Sequence, residues 1–290
     1  MSLTFKLSKE IGKSVAGIMR GRSAIIIPDV PTLVSRYGHG KPSHPQLSDS
    51  IKRGRDRYRA ILEGFLAYED LYAAIPRQHS GAKESFEPNW DNDWLPGLDS
   101  ACLYGIIASR LPARYIEIGS GISTRFARRA VDDHQLATTI TSIDPEPRAS
   151  IDSICDQVHR VPVQQVDLEL FDTLEAGDIL FVDSSHRVFT NSDVTVIFMD
   201  ILPRLKAGVI VHFHDIWLPD DYQPAWSDRY YSEQYMLAML LMFSDQFEIM
   251  LPNHFITHDQ ELSSVLAPLW ERPEMQGVRT DGASFWLEKK

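Results

Sequence analysis

Arg114-Tyr-Ile-Glu-Ile-Gly-Ser-Gly-Ile-Ser-Thr124 decides the fold class, because a short apolar run enters a glycine turn and leaves it as an amphipathic segment. The pattern predicts a strand over Arg114–Ile118, a turn at Gly119-Ser-Gly121 and a helix over Ser123–Val131. Downstream the same rhythm repeats. Strands are expected at Thr139–Ile143, closed by Asp144-Pro145, and at Val161–Val166, ending at Asp167. Two more are expected at Asp178–Val182, ending at Asp183, and at Gly208–Phe213, ending at His214-Asp215. Helices are expected between them at Pro147–Gln157 and Ser192–Leu202, the latter stopped by Pro203. The tail adds a helix at Ser232–Met242 and strands at Glu248–Leu251 and Ser284–Glu288. Strands alternating with helices through short connections form an α/β, doubly wound, mostly parallel sheet with helices on both faces. Right-handed crossovers then collect the functional residues at the carboxyl edge of the strands.

Upstream the rhythm is different. Ile51, Tyr58, Ile61, Leu62, Phe65, Leu66 and Leu71 recur at helical spacing between Ser48 and Ala74, and Pro76 ends that helix. A polar stretch rich in Trp and Asn, Gln78–Pro96, feeds a second helix at Asp99–Arg110. Residues 1–87 therefore read as an N-terminal helical arm or cap, and 88–290 as the main domain. Lys6, Lys9, Lys13, Arg20 and Arg22 face only Glu10 at the start of the chain, superficially like a transit peptide; with no apolar core of signal-peptide length and small-residue cleavage site following, the segment reads as a basic amphipathic arm or lid helix.

Composition narrows the function classes. The chain has 290 residues, 29 basic against 40 acidic, and a formal net charge of −11, which is the wrong sign for a nucleic-acid footprint. The longest unbroken apolar run, Met236–Phe243, is far shorter than the ~20 residues of a membrane span. Two cysteines, Cys102 and Cys155, cannot build a cysteine zinc site and fit a reducing, cytoplasmic compartment.

The glycine turn suits a ligand that the backbone must approach closely, with free N–H groups at the helix start. A dinucleotide fingerprint needs a third glycine where Thr124 stands, and Glu117 at the strand end would repel a pyrophosphate. An ammonium group is compatible with that carboxylate, which favours S-adenosylmethionine over NAD. Asp144 at the next strand end can accept both ribose hydroxyls, and Asp167 can meet the adenine amino group. The cofactor residues expected are Glu117, Gly119, Ser120, Gly121, Ser123, Thr124, Asp144, Asp167 and Asp183.

Glu117–Thr124, Ser142–Pro147 and Asp178–His186 resemble the class I S-adenosylmethionine-dependent methyltransferases. Asn89-Trp-Asp-Asn-Asp, Phe181-Val-Asp-Ser-Ser-His186, Leu202-Pro-Arg-Leu-Lys-Ala-Gly208 and His212-Phe-His-Asp-Ile-Trp-Leu-Pro219 are similar to its bacterial small-molecule branch, from Pro88 to Leu287. The resemblance implies a seven-stranded Rossmann-like sheet whose last strand runs antiparallel in a hairpin with the sixth. Partial similarity to the metal-dependent catechol-type O-methyltransferases implies a divalent metal at Asp183, His214 and Asp215, with His186 in the place of the family's lysine base. Imidazole there shifts the preference from magnesium towards manganese, iron or zinc. His186 also titrates nearer neutrality than lysine.

Methyl transfer needs an acceptor held in line and relieved of its proton. The catalytic candidates are His186, His214 and Asp215, with metal-free transfer through one of the histidines left open. His212 and His214 share a strand face, so one of them can serve the core. Trp217, Tyr222, Arg229 and Tyr230 are the acceptor-side candidates, with Arg229 placed to meet an anionic group. The sequence thus reads as a cytoplasmic methyltransferase acting on a small molecule, most simply at a hydroxyl oxygen, with a homodimer open to it through the N-terminal segment. An NAD-type oxidoreductase and an inactive nucleoside-binding protein are the alternatives.

Overall fold

The strand expected from Tyr115, Ile116 and Ile118 is present as β1 (Arg114–Ile118), and all of it but Arg114 is buried. A computed structural model of the chain describes residues 34–78, 86–147 and 150–290. The basic arm through Arg22 lies outside the described residues, and Ser35–Lys290 form one compact unit.

Before β1 come α1 (Pro45–Lys52), α2 (Arg55–Phe65), α3 (Glu69–Ala73) and α4 (Gly97–Arg110). The single helix expected over Ser48–Ala74 is broken at Arg53-Gly54. The reason lies in Tyr58: its ring occupies the space a side chain at position 54 would need, and its hydroxyl donates to the Ile51 carbonyl at 2.9 Å. Leu47, Ile51, Tyr58, Leu62, Phe65 and Tyr72 join the same buried cluster as the sheet.

After β1 follow α5 (Ile122–Asp133), β2 (Thr139–Ile143), β3 (Gln157–His159), α6 (Glu169–Asp172), β4 (Ile179–Val182), α7 (Asp193–Val196) and β5 (Ile210–Phe213). The chain closes through α8 (Glu233–Phe243), β6 (Phe247–Pro252), α9 (Asn253–His258), two further short helices and β7 (Phe285–Lys289). The sheet order is β3-β2-β1-β4-β5-β7-β6. β1 pairs in parallel with β2 and β4, β2 with β3 and β4 with β5, while β7 runs antiparallel to both β5 and β6. Because the order leaves β1 in two directions, right-handed crossovers put the helices of the two halves on opposite faces. The last strand accordingly pairs with β5 as well as with its hairpin partner.

Two elements differ from the sequence reading. No helix spans Pro147–Gln157; the described part is a single turn at Asp152–Ile154. The third strand is Gln157–His159, not Val161–Val166. It is an edge strand with exposed residues, so it carries no apolar signature. Val161–Val166 instead leaves the sheet: Pro162 has no N–H to give a ladder, and Val163 is buried in a turn. The helix expected over Ser192–Leu202 begins as α7, widens to a π-turn at Ile197–Ile201 and tightens at Leu202–Arg204 around Pro203.

Candidate active site

The strand order reverses between β1 and β4, and a ligand crevice forms outside the carboxyl ends of such a pair. Gly119 and Asp183 stand there. The Asp183 N–H donates to the Ile118 carbonyl at 2.8 Å. Gly119 has φ +83°, and a Cβ on it would lie 1.8 Å from the Asp183 carbonyl oxygen, so only glycine lets the two strand ends meet this closely.

The loop is braced from below. Glu117 is fully buried, accepting from the Tyr115 hydroxyl at 3.1 Å and from the Thr124 hydroxyl, while Thr124 Oγ1 accepts from the Gly121 N–H at 3.0 Å. Thr124 therefore holds the turn through its side chain, a task a third glycine could not perform. Burial is the largest influence on Glu117 and raises its pKa to about 7 against these hydrogen bonds. Above the loop, Asp144 accepts from the Ser120 N–H at 2.9 Å and from the Glu146 N–H at 2.8 Å.

A cavity of about 620 Å³ runs from this loop to the end of β5. Its glycine-turn end is walled by Gly119, Ser120, Ile143, Asp144 and Pro162–Gln164, and its far end by Asp183, His186, His214, Asp215, Trp217, Trp226, Arg229 and Tyr231. A second cavity of about 320 Å³ adjoins it at Ser120, Gly121, Ser123 and Arg125, under the Asn89–Leu95 segment.

The imidazoles meet the carboxylates between the β4 and β5 ends. His186 Nε2 lies 3.2 Å from Asp183 and 3.6 Å from Asp215, and His214 Nδ1 lies 3.8 Å and 3.5 Å from the same two. Each ring has a further carboxylate behind it: Glu233 at 2.8 Å from His186 Nδ1 and Asp99 at 3.4 Å from His214 Nε2. Burial works against charge on both imidazoles, but the carboxylates outweigh it, raising His186 well above 6.5 and His214 to about 9. Asp183 loses solvent in the cavity wall, yet His214 and His186 hold it down to about 2. Asp215 is raised by burial in spite of both imidazoles. His186 and Asp215 are both in the left-handed backbone region, at φ +59° and +54°, which non-glycine residues keep only where surrounding contacts impose it.

His212 proves to be the core histidine of the pair. It is fully buried, stacked 3.7 Å from Phe181, bonded to Ser284 Oγ at 2.8 Å, and pushed well below 6.5 by burial.

The structure brings Gly119, Ser120, Asp144, Asp183, His186, His214, Asp215, Trp217 and Arg229 to the main cavity, and Gly121 and Ser123 to the adjoining one. Glu117 and Thr124 sit beneath the loop instead of facing the ligand space. Asp167 does not line the cavity; it accepts from the Glu169 N–H at 3.0 Å at the start of α6, because β3 ends earlier than its apolar neighbours suggest. Pro162, Val163 and Gln164 stand in the place expected for it. Tyr222 is buried with its hydroxyl accepting from the Gln234 N–H, and Tyr230 is exposed and does not line the cavity, where Trp226 and Tyr231 stand. Glu233 and Asp99 were invisible in the sequence reading, since each lies far along the chain from the imidazole it supports and each reads locally as an ordinary helix-start acid.

Residues 116–216, from β1 to just beyond β5, match the family model described as a methyltransferase domain. Over this segment, about a third of the chain, the sequence is similar to methyltransferase domains. Two solved structures are similar to the chain at low identity. A methyltransferase of Podospora anserina bound to SAH is 15% identical, with 88% of this chain and 100% of that one covered and a TM-score of 0.41. An O-methyltransferase from Bacillus cereus in complex with SAH is 14% identical, with 79% and 91% covered and a TM-score of 0.41. A search of curated proteins finds no match.

This segment holds its Asp183, His214 and Asp215 together, but among the described residues no group of three or more His, Cys, Asp or Glu is arranged to hold a metal ion. The ring nitrogens face carboxylate oxygens as hydrogen-bonding and ion-pair partners. Asp183 and Asp215 instead face the same His214 Nδ1, at 3.8 and 3.5 Å. Among the described residues no helix is long and apolar enough to cross a membrane.

Proposed function

We propose that the chain moves a methyl group from S-adenosylmethionine to a hydroxyl oxygen of a small-molecule acceptor, with His186 taking the acceptor's proton. One observation carries this reading: the braced glycine turn and the histidine–carboxylate cluster open onto one continuous cavity. Asp144 at the glycine-turn end would accept from the ribose hydroxyls, and the carboxylates around Asp183 suit a sulfonium cation. Trp217, Trp226, Tyr231 and Arg229 wall the acceptor end. Residues 88–290 hold this chemistry, and the described helices before residue 87 add to its core.

In the reaction the acceptor oxygen uses a lone pair to bond the methyl carbon as the carbon–sulfur bond breaks and its electrons return to sulfur. The acceptor's proton passes to His186 Nε2. In the free protein the carboxylates favour imidazolium at His186. A sulfonium in the same cavity opposes that second positive charge, so cofactor binding lowers the proton affinity of the ring and prepares it as a base.

The test is calorimetric titration with S-adenosylhomocysteine and with NAD, followed by S-adenosylhomocysteine production from S-adenosylmethionine and a panel of phenols and alcohols headed by catechol. S-adenosylhomocysteine is expected to bind and NAD not, and His186→Asn is expected to keep binding while losing turnover. Binding of NAD alone would replace this function with hydride transfer.

A further inference from the structure

Glu233 is fully buried at the first position of α8, yet its carboxylate does not cap that helix. The N–H groups of Ser232 and Glu233 are already taken by the His186 carbonyl, at 2.7 and 3.1 Å. The carboxylate instead reaches the His186 ring, with Oε2 2.8 Å from Nδ1, while Oε1 accepts from Ser184 Oγ at 3.4 Å. A second tie runs alongside, since the Val188 N–H donates to Ser232 Oγ at 2.9 Å. The ring of His186 is thus fixed at its backbone and at one nitrogen by the same short segment.

A buried carboxylate costs free energy unless strong donors meet it, and here the imidazole is the strong donor. Holding hydrogen on Nδ1 leaves Nε2 as the nitrogen that faces Asp183, Asp215 and the cavity. We propose that Glu233 is a positioning residue for His186: it selects the ring form with hydrogen on Nδ1 and points Nε2 at the methyl acceptor. The pair also joins the base to the acceptor wall, because α8 directly follows Trp226 and Tyr231, and the Tyr231 ring lies 4.6 Å from that of His186.

This inference rests on His186 being the proton acceptor, so the two must be tested apart. The experiment is nitrogen-15 and proton spectroscopy of protein labelled at histidine, in wild type, Glu233→Ala, Glu233→Gln and Glu233→Asp, with His186→Asn identifying the signals. The wild type is expected to show an exchange-protected downfield proton on His186 Nδ1, and at alkaline pH a neutral ring protonated at Nδ1. Glu233→Ala and Glu233→Gln are expected to lose that protected signal, and Glu233→Asp to restore part of it. If Glu233→Ala does not fold, the Gln and Asp variants decide. A wild-type ring protonated at Nε2, or a protected Nδ1 signal unchanged in Glu233→Gln, would overturn the proposal. Turnover by His186→Asn equal to wild type would instead overturn the base assignment, which the spectra do not touch.

Discussion

The charge state of Glu117 gives this fold a pH dependence that can be worked out in advance. Its carboxyl, ordinarily ionising at 4.5, is raised to about 7 by complete burial under the glycine turn. Below about pH 4.5 it is neutral in folded and unfolded chains alike. Between about 4.5 and 7 the unfolded chain releases the proton and the folded chain keeps it. Stability therefore falls as pH rises through that window and levels off above it. At about 1.4 kcal/mol per pH unit the full penalty is about 3 kcal/mol, of which about 2–3 kcal/mol develops between about pH 5 and 8. Glu117→Gln removes the titration but keeps acceptor capacity for the Tyr115 and Thr124 hydroxyls. Urea unfolding of the two proteins across that range is the assay, because every other titrating group cancels in their difference. The variant should gain about 2–3 kcal/mol relative to wild type from pH 5 to 8. A difference that stays constant with pH would refute the argument that burial dominates at Glu117.

Three further outcomes are expected. Gly119→Ala combines a left-handed backbone cost of about 1–2 kcal/mol with a Cβ 1.8 Å from the Asp183 carbonyl oxygen; thermal melting should drop by several degrees and S-adenosylhomocysteine affinity by more than about tenfold, and normal binding would show that the strand ends need not touch. Asp99→Ala strands the Asn253 amide and the N–H groups of Ala283 and Ser284, which the carboxylate now accepts at 2.7 to 2.9 Å. With each orphaned donor costing about 1–3 kcal/mol, denaturant unfolding should show a loss of at least about 3 kcal/mol, and a loss under about 1 would mean that water replaces the carboxylate. Asp144→Ala removes the acceptor of the Ser120 and Glu146 N–H groups as well as the expected ribose contact; calorimetry should show S-adenosylhomocysteine binding weakened about tenfold or more, at one charged hydrogen bond of about 1.5–3 kcal/mol.

The central strands and the glycine turn were determined by local sequence. Buried strands such as Arg114–Ile118 and Thr139–Ile143 carry closely spaced isoleucines with tyrosine or threonine beside them, and a turn with φ near +83° favours glycine, so each announces itself within a few residues. The acids and imidazoles at the ends of β4 and β5 were legible for the same reason, since polar residues directly after such strands fall at the ligand edge. The edge strand β3 was not legible. Its residues are exposed, and the apolar run beside it packs as a turn, which moved Asp167 away from the cavity and put Pro162–Gln164 there.

Only the tertiary structure decided the roles. Glu117 looked like a ligand contact because it ends a strand, but the pleat turns it inward, where Tyr115 and Thr124 meet it. His212 and His214 are indistinguishable in sequence; one stacks on Phe181 in the core and the other faces two aspartates at the cavity. Glu233 and Asp99 acquire their partners through contacts between segments far apart in the chain. Such contacts leave no local periodicity, because they depend on how helices α4 and α8 dock against the sheet and not on the residues beside them.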